Sequence, residues 1–346
     1  MKKHILILIS VFTLSVQTKA QNGFENILLA DVNDSQKLLE AYFAPGMEGF
    51  INAMNSGWYH TAKVHKKLGF DISIGASGAQ IPSKNDLINI SALGLSSKLT
   101  SNAPTTPSFS GPENGAQFTV TRNIQGQNVE ANFQAPGGES LPANLVPAPS
   151  VQIGVGLPWK LEAMVRFVPN INFEESQDES SLNMFGLGLK KEITDWFGPM
   201  DKTPLHVSIL AAYTSMKVSY GIADVNSGPI ETENALAEFD LNAFTLQAIA
   251  SLNFPIINVY GGIGYNNGSS SLKMSGTYTG VFQTVGGSPN VTIRENLVIP
   301  SNFDFKSNGM AATIGARLSL GFFKIYGSYA LQEYNTANLG IAFSLR

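Results

Sequence analysis

The sequence predicts an all-β protein, a transmembrane antiparallel β-barrel of about 10–14 strands preceded by a helical N-terminal segment. First, only 14% of the 346 residues are charged, whereas roughly 25% are charged in a typical soluble domain. Second, apolar residues alternate with small or polar ones from residue 68 onward, as in strands with two different faces. Third, no stretch after residue 20 has the ~20 consecutive apolar residues of a membrane-spanning helix.

The first twenty residues have the layout of a secretory signal peptide. Lys2 and Lys3 precede an apolar run over residues 5–16, and Thr18 and Ala20 supply the small residues of a signal-peptidase site. The apolar run is too short to anchor the chain in a bilayer. We expect residues 1–20 to be removed, and the mature chain to begin near Gln21 beyond the inner membrane.

Residues 21–67 form the predicted N-terminal helical segment. Leu28, Leu38 and Phe43 belong to a set of apolar residues at irregular helical spacing, which Pro45 and Gly46 interrupt. Because this segment precedes the first strand, it stays in the periplasm or folds into the barrel as a plug. The sequence leaves both alternatives open.

Residues 68–346 form the predicted barrel, and the charges of its strands fall on the polar face. One Arg or Lys facing lipid at the midplane would cost roughly 2–4 kcal/mol. A secreted β-sandwich, the alternative fold, would carry more Lys and Glu on its wet face. We therefore predict that the following residues line the lumen: Asp71, Glu162, Arg166, Lys190, His206, Arg317 and Lys324.

The lengths of the connections predict the orientation of the barrel. Short turns at Pro158, Pro255 and Gly321 alternate with long connections at the opposite end. Outer-membrane barrels have short periplasmic turns and longer extracellular loops. The predicted extracellular loops are therefore residues 80–149, 222–239 and 277–308.

A basic cluster, His60, Lys63, His65, Lys66 and Lys67, precedes the first strand. It either guides an anionic solute at the periplasmic mouth or holds this junction at lipid head groups. The spacing of the two histidines suits no metal site. No bound metal or cofactor is expected. The absence of Cys and the net charge of -4 exclude thiolate sites and a basic nucleic-acid surface.

Catalysis is not expected, because the sequence suggests no nucleophile with an orienting base and a third group. His206 is the one histidine within a predicted barrel strand. It would lie inside the lumen, away from lipid substrates. The protein is therefore predicted not to be an enzyme.

The end of the chain resembles the last strand of outer-membrane barrels. Asn338, Gly340, Phe343 and Leu345 match the pattern that the barrel assembly machinery recognises, although the chain ends in Leu345-Arg346 and not in an aromatic residue. The whole chain resembles a family of uncharacterised outer-membrane β-barrel proteins of Bacteroidota. The layout from Gly46 to Gly69 is similar to FadL-type long-chain fatty-acid transporters.

These resemblances imply the outer membrane of a Gram-negative bacterium as the location, with membrane lipid and the assembly machinery as partners. Two functional hypotheses follow. The first is a passive channel or transporter for a small solute, including a hydrophobic one. The alternative is a structural or assembly protein of the outer membrane that does not transport and engages a partner. A pocket that is continuous between the N-terminal segment and the lumen, lined by Phe, Leu and Met, favours the first hypothesis. A barrel sealed by its own ion network favours the second.

Overall fold

A computed structural model describes residues 23–139, 141–175, 178–198, 203–285, 291–300 and 303–345. The predicted signal peptide lies outside these ranges. A 3-10 turn, Glu25–Leu29, leads into one long helix, α1, Val32–Asn55. None of the described helices combines the length and apolar character needed to cross a bilayer.

Sixteen strands follow in the described part of the chain. They are β1 Phe70–Gln80, β2 Leu87–Asn89, β3 Leu99–Ser101, β4 Thr105–Pro107, β5 Gln117–Ile124, β6 Gln127–Gln134, β7 Leu145–Leu157, β8 Leu161–Glu175, β9 Asp178–Glu192, β10 Leu205–Ile222, β11 Ile230–Asn253, β12 Ile257–Thr284, β13 Thr292–Asn296, β14 Phe303–Leu320, β15 Phe323–Leu331 and β16 Thr336–Leu345.

Ten of these strands close into an antiparallel ring. The order around the ring is β1, β7, β8, β9, β10, β11, β12, β14, β15 and β16, and β16 pairs again with β1. The strand count lies at the lower end of the range predicted from the sequence. A closed ring leaves no open sheet edge within the hydrocarbon layer, which is the condition for a strand-built membrane protein. The predicted β-barrel fold is therefore confirmed.

The faces of the ring have the polarity of a membrane barrel. Ile263, Ile314 and Leu339 point outward and are 64%, 66% and 71% exposed. Inside, charged side chains such as Glu162 and Arg166 are buried. A water-soluble barrel would reverse this arrangement, because burial of apolar surface is the main stabilising contribution to folding in water. The outward apolar surface therefore matches lipid.

The two ends of the ring differ as the connection lengths predict. Residues 158–160, 254–256 and 321–322 join neighbouring strands by short turns at one end. Aromatic side chains are exposed at this end, including Trp159, Trp196 and Phe322, as in an interfacial girdle. The opposite end carries residues 81–144, which contain β2 to β6. We refer to it as the outer end.

Two predicted loops are wrong in their extent, because strands occupy much of residues 222–239 and 277–308. β11 begins at Ile230, and β12 continues to Thr284, where it pairs with β13 and β6. These extensions carry charges on paired strands, for example Glu238 opposite Lys273. The part of a strand that extends beyond the lipid tolerates charged side chains, so its composition is as polar as that of a loop.

We expect Ile263→Lys to destabilise the barrel by roughly 2–4 kcal/mol, because the ammonium group would face lipid. Ser275→Lys is the matched control, because Ser275 is exposed on the same face of the same strand but lies twelve residues nearer the outer end. Urea unfolding of the refolded protein in lipid vesicles measures both changes. Equal effects of the two substitutions would contradict the assignment of the outer surface to lipid.

Candidate functional site

The N-terminal segment runs through the inside of the barrel from its outer end. The 3-10 turn contacts β6, β11 and β12, and α1 then contacts β1, β7, β10, β11, β12 and β14. Its 24 residues span about 36 Å at the usual helical rise. Residues 56–65, which we name the strap, continue from α1 to the end of the ring that carries the short turns. The structure thus puts this segment inside the lumen, one of the two predicted alternatives.

The N-terminal segment fills the lumen, and we refer to it there as the filling. The outer half of the filling is apolar. Leu39, Phe43 and Met47 on α1 belong to one buried cluster with aromatic residues of the outer strands. Small residues let the helix approach the wall. A Cβ at Gly49 would lie 2.7 Å from Val146 Cγ2, and one at Gly268 would lie 2.4 Å from Ile51 Cγ2. The helix is therefore packed tightly against the wall on these two sides.

One polar contact also anchors the helix in this outer half. The hydroxyl of Tyr334, in the turn between β15 and β16, donates to Glu48 Oε2 at 2.6 Å and accepts from Asn85 Nδ2 at 3.0 Å. Burial raises the pKa of the Glu48 carboxyl, although the Tyr334 hydrogen bond acts in the opposite direction. This contact ties the helix to the shortest part of the wall.

The inner half of the filling is polar, and the strap contacts all ten strands of the ring there. The contacts from β1 to β16 are Asp71 with His60, Gln152 with the Trp58 carbonyl, Glu162 with His65, Glu192 with the Val64 amide, Ser208 with the Ala62 carbonyl, Ser251 with the Ala62 amide, Asn258 with Thr61, Arg317 with His60, Tyr326 with His60 and Ser344 with His65. The strap therefore contacts the wall around the full circumference of the lumen.

His60 bridges two charges of the wall. Its Nδ1 lies 2.9 Å from Arg317 Nη1, and its Nε2 lies 2.9 Å from Asp71 Oδ2. Because a guanidinium group can only donate, Nδ1 accepts and Nε2–H donates to the carboxylate. The ring stacks on Tyr326 with centroids 4.8 Å apart. The contacts assign this tautomer to a neutral imidazole that links Asp71 to Arg317.

His65 and Lys190 share the carboxylate of Glu162. Lys190 Nζ donates to Oε1 at 2.9 Å, and the His65 backbone amide and Nδ1 approach Oε2 at 3.0 and 2.9 Å. The other ring nitrogen of His65 lies 3.1 Å from Ser344 Oγ. Charge-assisted hydrogen bonds of this kind are stronger than neutral ones. They hold the end of the strap against β8, β9 and β16.

Arg166 binds the strap in a different way from the predicted ion network. Its guanidinium donates to Gln152 Oε1 and to the carbonyls of Met54 and Ser56, both at 3.0 Å. It also lies 4.0 Å from the centre of the Trp58 ring, a cation–π geometry. The end of α1 is thus fixed by a cation that binds its last carbonyls, as the helix dipole favours.

The remaining predicted lumen residues lie near the end of the ring that carries the short turns. His206 is half-buried, and its Nδ1 is 2.7 Å from Glu192 Oε1. Lys324 donates to the Gly321 carbonyl. Within the predicted network, Glu162 and Lys190 pair directly, while Asp71 and Arg317 are joined through His60. The strap completes the network, and the sequence did not reveal that role.

The predicted basic cluster is divided by the structure. His60 and His65 are buried inside the lumen, whereas Lys66 and Lys67 are exposed and Lys63 is half-buried. The prediction of one cluster at the mouth is therefore wrong. Trp58 was missed, although a signal was available: a Cβ at Gly186 or Gly188 would lie 3.1 or 3.0 Å from the Trp58 ring. Neighbouring lumen-facing glycines mark the place of a large side chain.

The residues of the lumen whose ligand atoms lie close enough to hold a metal ion already have protein partners. His65, Asp71 and Glu162 offer ligand atoms that all lie within 4.8 Å of one another. However, Glu162 pairs with Lys190, and Asp71 is joined to Arg317 through His60. An added cation would have to displace these partners. The arrangement is that of a buried polar network that fixes the strap.

Two clefts lie outside the strap. One, of about 480 Å³, is lined by β6, β12 and the residues before β11 at the outer rim. The other, of about 370 Å³, lies between α1 and β14. Neither cleft is lined by a strap residue, so neither continues through the lumen.

We expect Glu162→Leu to lower the free energy of unfolding by about 3–5 kcal/mol, because Lys190 would remain buried without its carboxylate. Adding Lys190→Met should recover part of this loss, since the unpaired charge is removed. Urea unfolding of both variants in vesicles measures the coupling. A double variant less stable than Glu162→Leu would contradict a direct pair.

Comparisons with solved structures give distant matches to outer-membrane proteins. The attachment invasion locus protein Ail of Yersinia pestis, in complex with the heparin analogue sucrose octasulfate, has 8% identity and a TM-score of 0.27 over 81% of this chain and 99% of that chain. The translocator domain of the autotransporter NalP from Neisseria meningitidis has 12% identity and a TM-score of 0.30, over 81% and 89%. The outer membrane protease OmpT of Escherichia coli has 11% identity and a TM-score of 0.26, over 84% and 97%.

A comparison with curated proteins gives no match. A family model matches residues 1–345, almost the whole sequence. The chain therefore belongs to the family described as "Family of unknown function (DUF6588)".

Proposed function

We propose that this protein is a closed outer-membrane β-barrel that acts through the surface at its outer end, as a structural or interaction protein and not as an open channel. One observation carries the proposal: the strap contacts all ten strands and joins a helix that fills the outer half of the lumen. Under this proposal, the chain reaches the outer membrane through its signal peptide and its C-terminal strand.

The dimensions of the filling support a closed state. A ten-stranded barrel has a narrow interior, little wider than the eight-stranded barrels that their own side chains fill. Here a helix occupies that interior, and large side chains such as Trp58 and Tyr59 occupy the space below it. A solute would have to displace these groups, together with the buried ion pair between Glu162 and Lys190.

Gated passage of a small solute is the second candidate, and the polarity of the strap contacts favours it. The strap meets the wall through hydrogen bonds and ion pairs, which water can replace when the strap moves. An apolar interface could not separate in this way, because the exposure of apolar surface to water costs free energy. The FadL-type layout of the N-terminal segment agrees with this candidate. In either case, the strap is the element whose movement decides between the two functions.

A disulfide between the strap and the wall separates the two candidates. Thr61 Oγ1 and Ser251 Oγ lie 3.3 Å apart, and the chain contains no Cys, so Thr61→Cys with Ser251→Cys introduces the only thiols. We expect vesicles with wild-type protein to show the conductance and sugar uptake of protein-free vesicles. The oxidised and reduced variants should behave identically.

Each single-cysteine variant controls for the substitutions themselves. Gated passage would be supported, and the closed barrel contradicted, if the wild-type protein and the reduced double variant took up sugar and oxidation of the double variant abolished this uptake. Uptake that persists in the oxidised variant would contradict the strap as the seal.

A further inference from the structure

The wall of the barrel is incomplete on one side of its outer end. β15, β16 and β1 have 9, 10 and 11 residues, whereas β14 has 18 and β12 has 28. β14 pairs with β12 from Phe303 to Leu318 but with β15 only from Ala312 onward. Among the described residues, no strand pairs with the other edge of β14 over residues 303–311.

This free edge lies outside the apolar belt. On the outer face of β14, Met310, Ile314 and Leu318 are exposed and apolar, whereas Asp304 and Lys306 are exposed and charged. On the inner face, Phe303 and Phe305 are buried against α1. Because the polarity changes between Asn308 and Met310, residues 303–308 of the edge face water and not lipid.

Helix α1 runs beside the free edge and presents one partly exposed stripe to it. Lys37, Glu40, Ala41, Ala44 and Glu48 recur at helical spacing, are all half-buried, and line the 370 Å³ cleft together with Asp304, Phe305, Lys306 and Leu93. We name this cleft the edge groove. Its walls are the unpaired edge of β14, the helix α1 and Leu93, and the small side chains of Ala41 and Ala44 leave room for added side chains.

A strand edge beside a helix is the geometry in which proteins bind extended peptides by adding a strand to a sheet. Main-chain hydrogen bonds supply affinity, and alternate side chains enter the groove and supply specificity. Unpaired edges are normally shortened, covered or closed. Here the edge remains open over nine residues next to a groove.

We propose that the edge groove binds an extended segment of a partner protein, which pairs with β14 as an added strand. This inference rests on the proposed function, since it identifies where the outer end engages its partner. The segment would place small apolar side chains over Ala41 and Ala44. On the outer side, it would place an acidic residue opposite Lys306 and a basic residue opposite Asp304, because opposite charges across a strand pair stabilise it.

A second copy of this chain does not fit the edge through its own β14. Two antiparallel copies of one strand are related by a two-fold axis perpendicular to that strand. Because the strands of such barrels run closer to the membrane normal than to its plane, that axis would invert the second copy relative to the membrane. This geometry excludes β14 of a second copy, and we assign the edge to a segment of a different protein.

The test uses refolded full-length protein in lipid nanodiscs and the fluorescent peptide acetyl-Thr-Val-Glu-Val-Lys-Val-Thr-amide. Its alternating valines face the groove, and its charges complement Lys306 and Asp304 in the antiparallel direction. We expect saturable binding by fluorescence anisotropy, and roughly tenfold weaker binding of the peptide with Glu and Lys exchanged. The double variant Asp304→Lys with Lys306→Asp should invert this preference.

Two controls separate strand addition from adsorption of a charged peptide. Two peptides are compared, one N-methylated on the odd residues and the other on the even residues. Only alternate N–H groups of an added strand face β14, so one of the two peptides lacks the donors for β14 and should lose binding. Ala44→Trp fills the groove and should also abolish binding, whereas Asn33→Trp, at an exposed position of α1 that does not line the groove, should not.

Three results would overturn the proposal: no saturable binding up to about 1 mM peptide, equal binding of the charge-exchanged peptide, or full binding of both N-methylated peptides. The outcome is independent of the conductance test. A barrel that conducts and still binds the peptide would refute only the closed-barrel function. A sealed barrel that does not bind it would refute only the edge groove.

Discussion

The structure depends on the requirement that the buried polar wall of the lumen be satisfied. A membrane barrel turns its apolar residues to lipid and is left with polar groups inside. Water satisfies those groups in a wide pore, but a helix and a strap exclude water from much of this lumen. Unpaired polar groups would then destabilise the protein, and unpaired charges more strongly. The strap supplies partners for many of these groups through backbone amides, carbonyls and two histidines.

The two halves of the filling pack against the barrel wall through different kinds of contact. In the outer half, the strands have left the membrane and can bury apolar residues against α1, as a soluble protein does. In the inner half, the wall faces lipid on its other side, so its lumen face carries the polar residues. The strap accordingly binds through Glu162, Arg166 and Arg317. The change from apolar to polar contacts follows the membrane boundary.

The uneven height of the wall connects the plug with the outer surface. Short strands on one side expose a stripe of α1 that a uniform wall would cover. The same helix therefore fills the lumen, supports the outer strands and contributes to the edge groove.

The sequence by itself determined the barrel, the side of each strand that faces lipid and the end that carries the long segments. These properties follow from period-two alternation and from the high cost of a charge in lipid, both of which are local along the chain. It also predicted that Glu162 and Lys190 face the lumen. Lys190 pairs with Glu162 because neighbouring strands place them opposite each other.

Only the tertiary structure decided where the N-terminal segment lies and which partners the buried charges find. His60 and His65 are close to three lysines in the sequence, yet they turn into the lumen because Asp71 and Glu162 face them from β1 and β8. The charged extensions of β11 and β12 are strands because each supplies the other with main-chain hydrogen bonds. Contacts between residues far apart in the chain fix these features, and local periodicity carries no information about them.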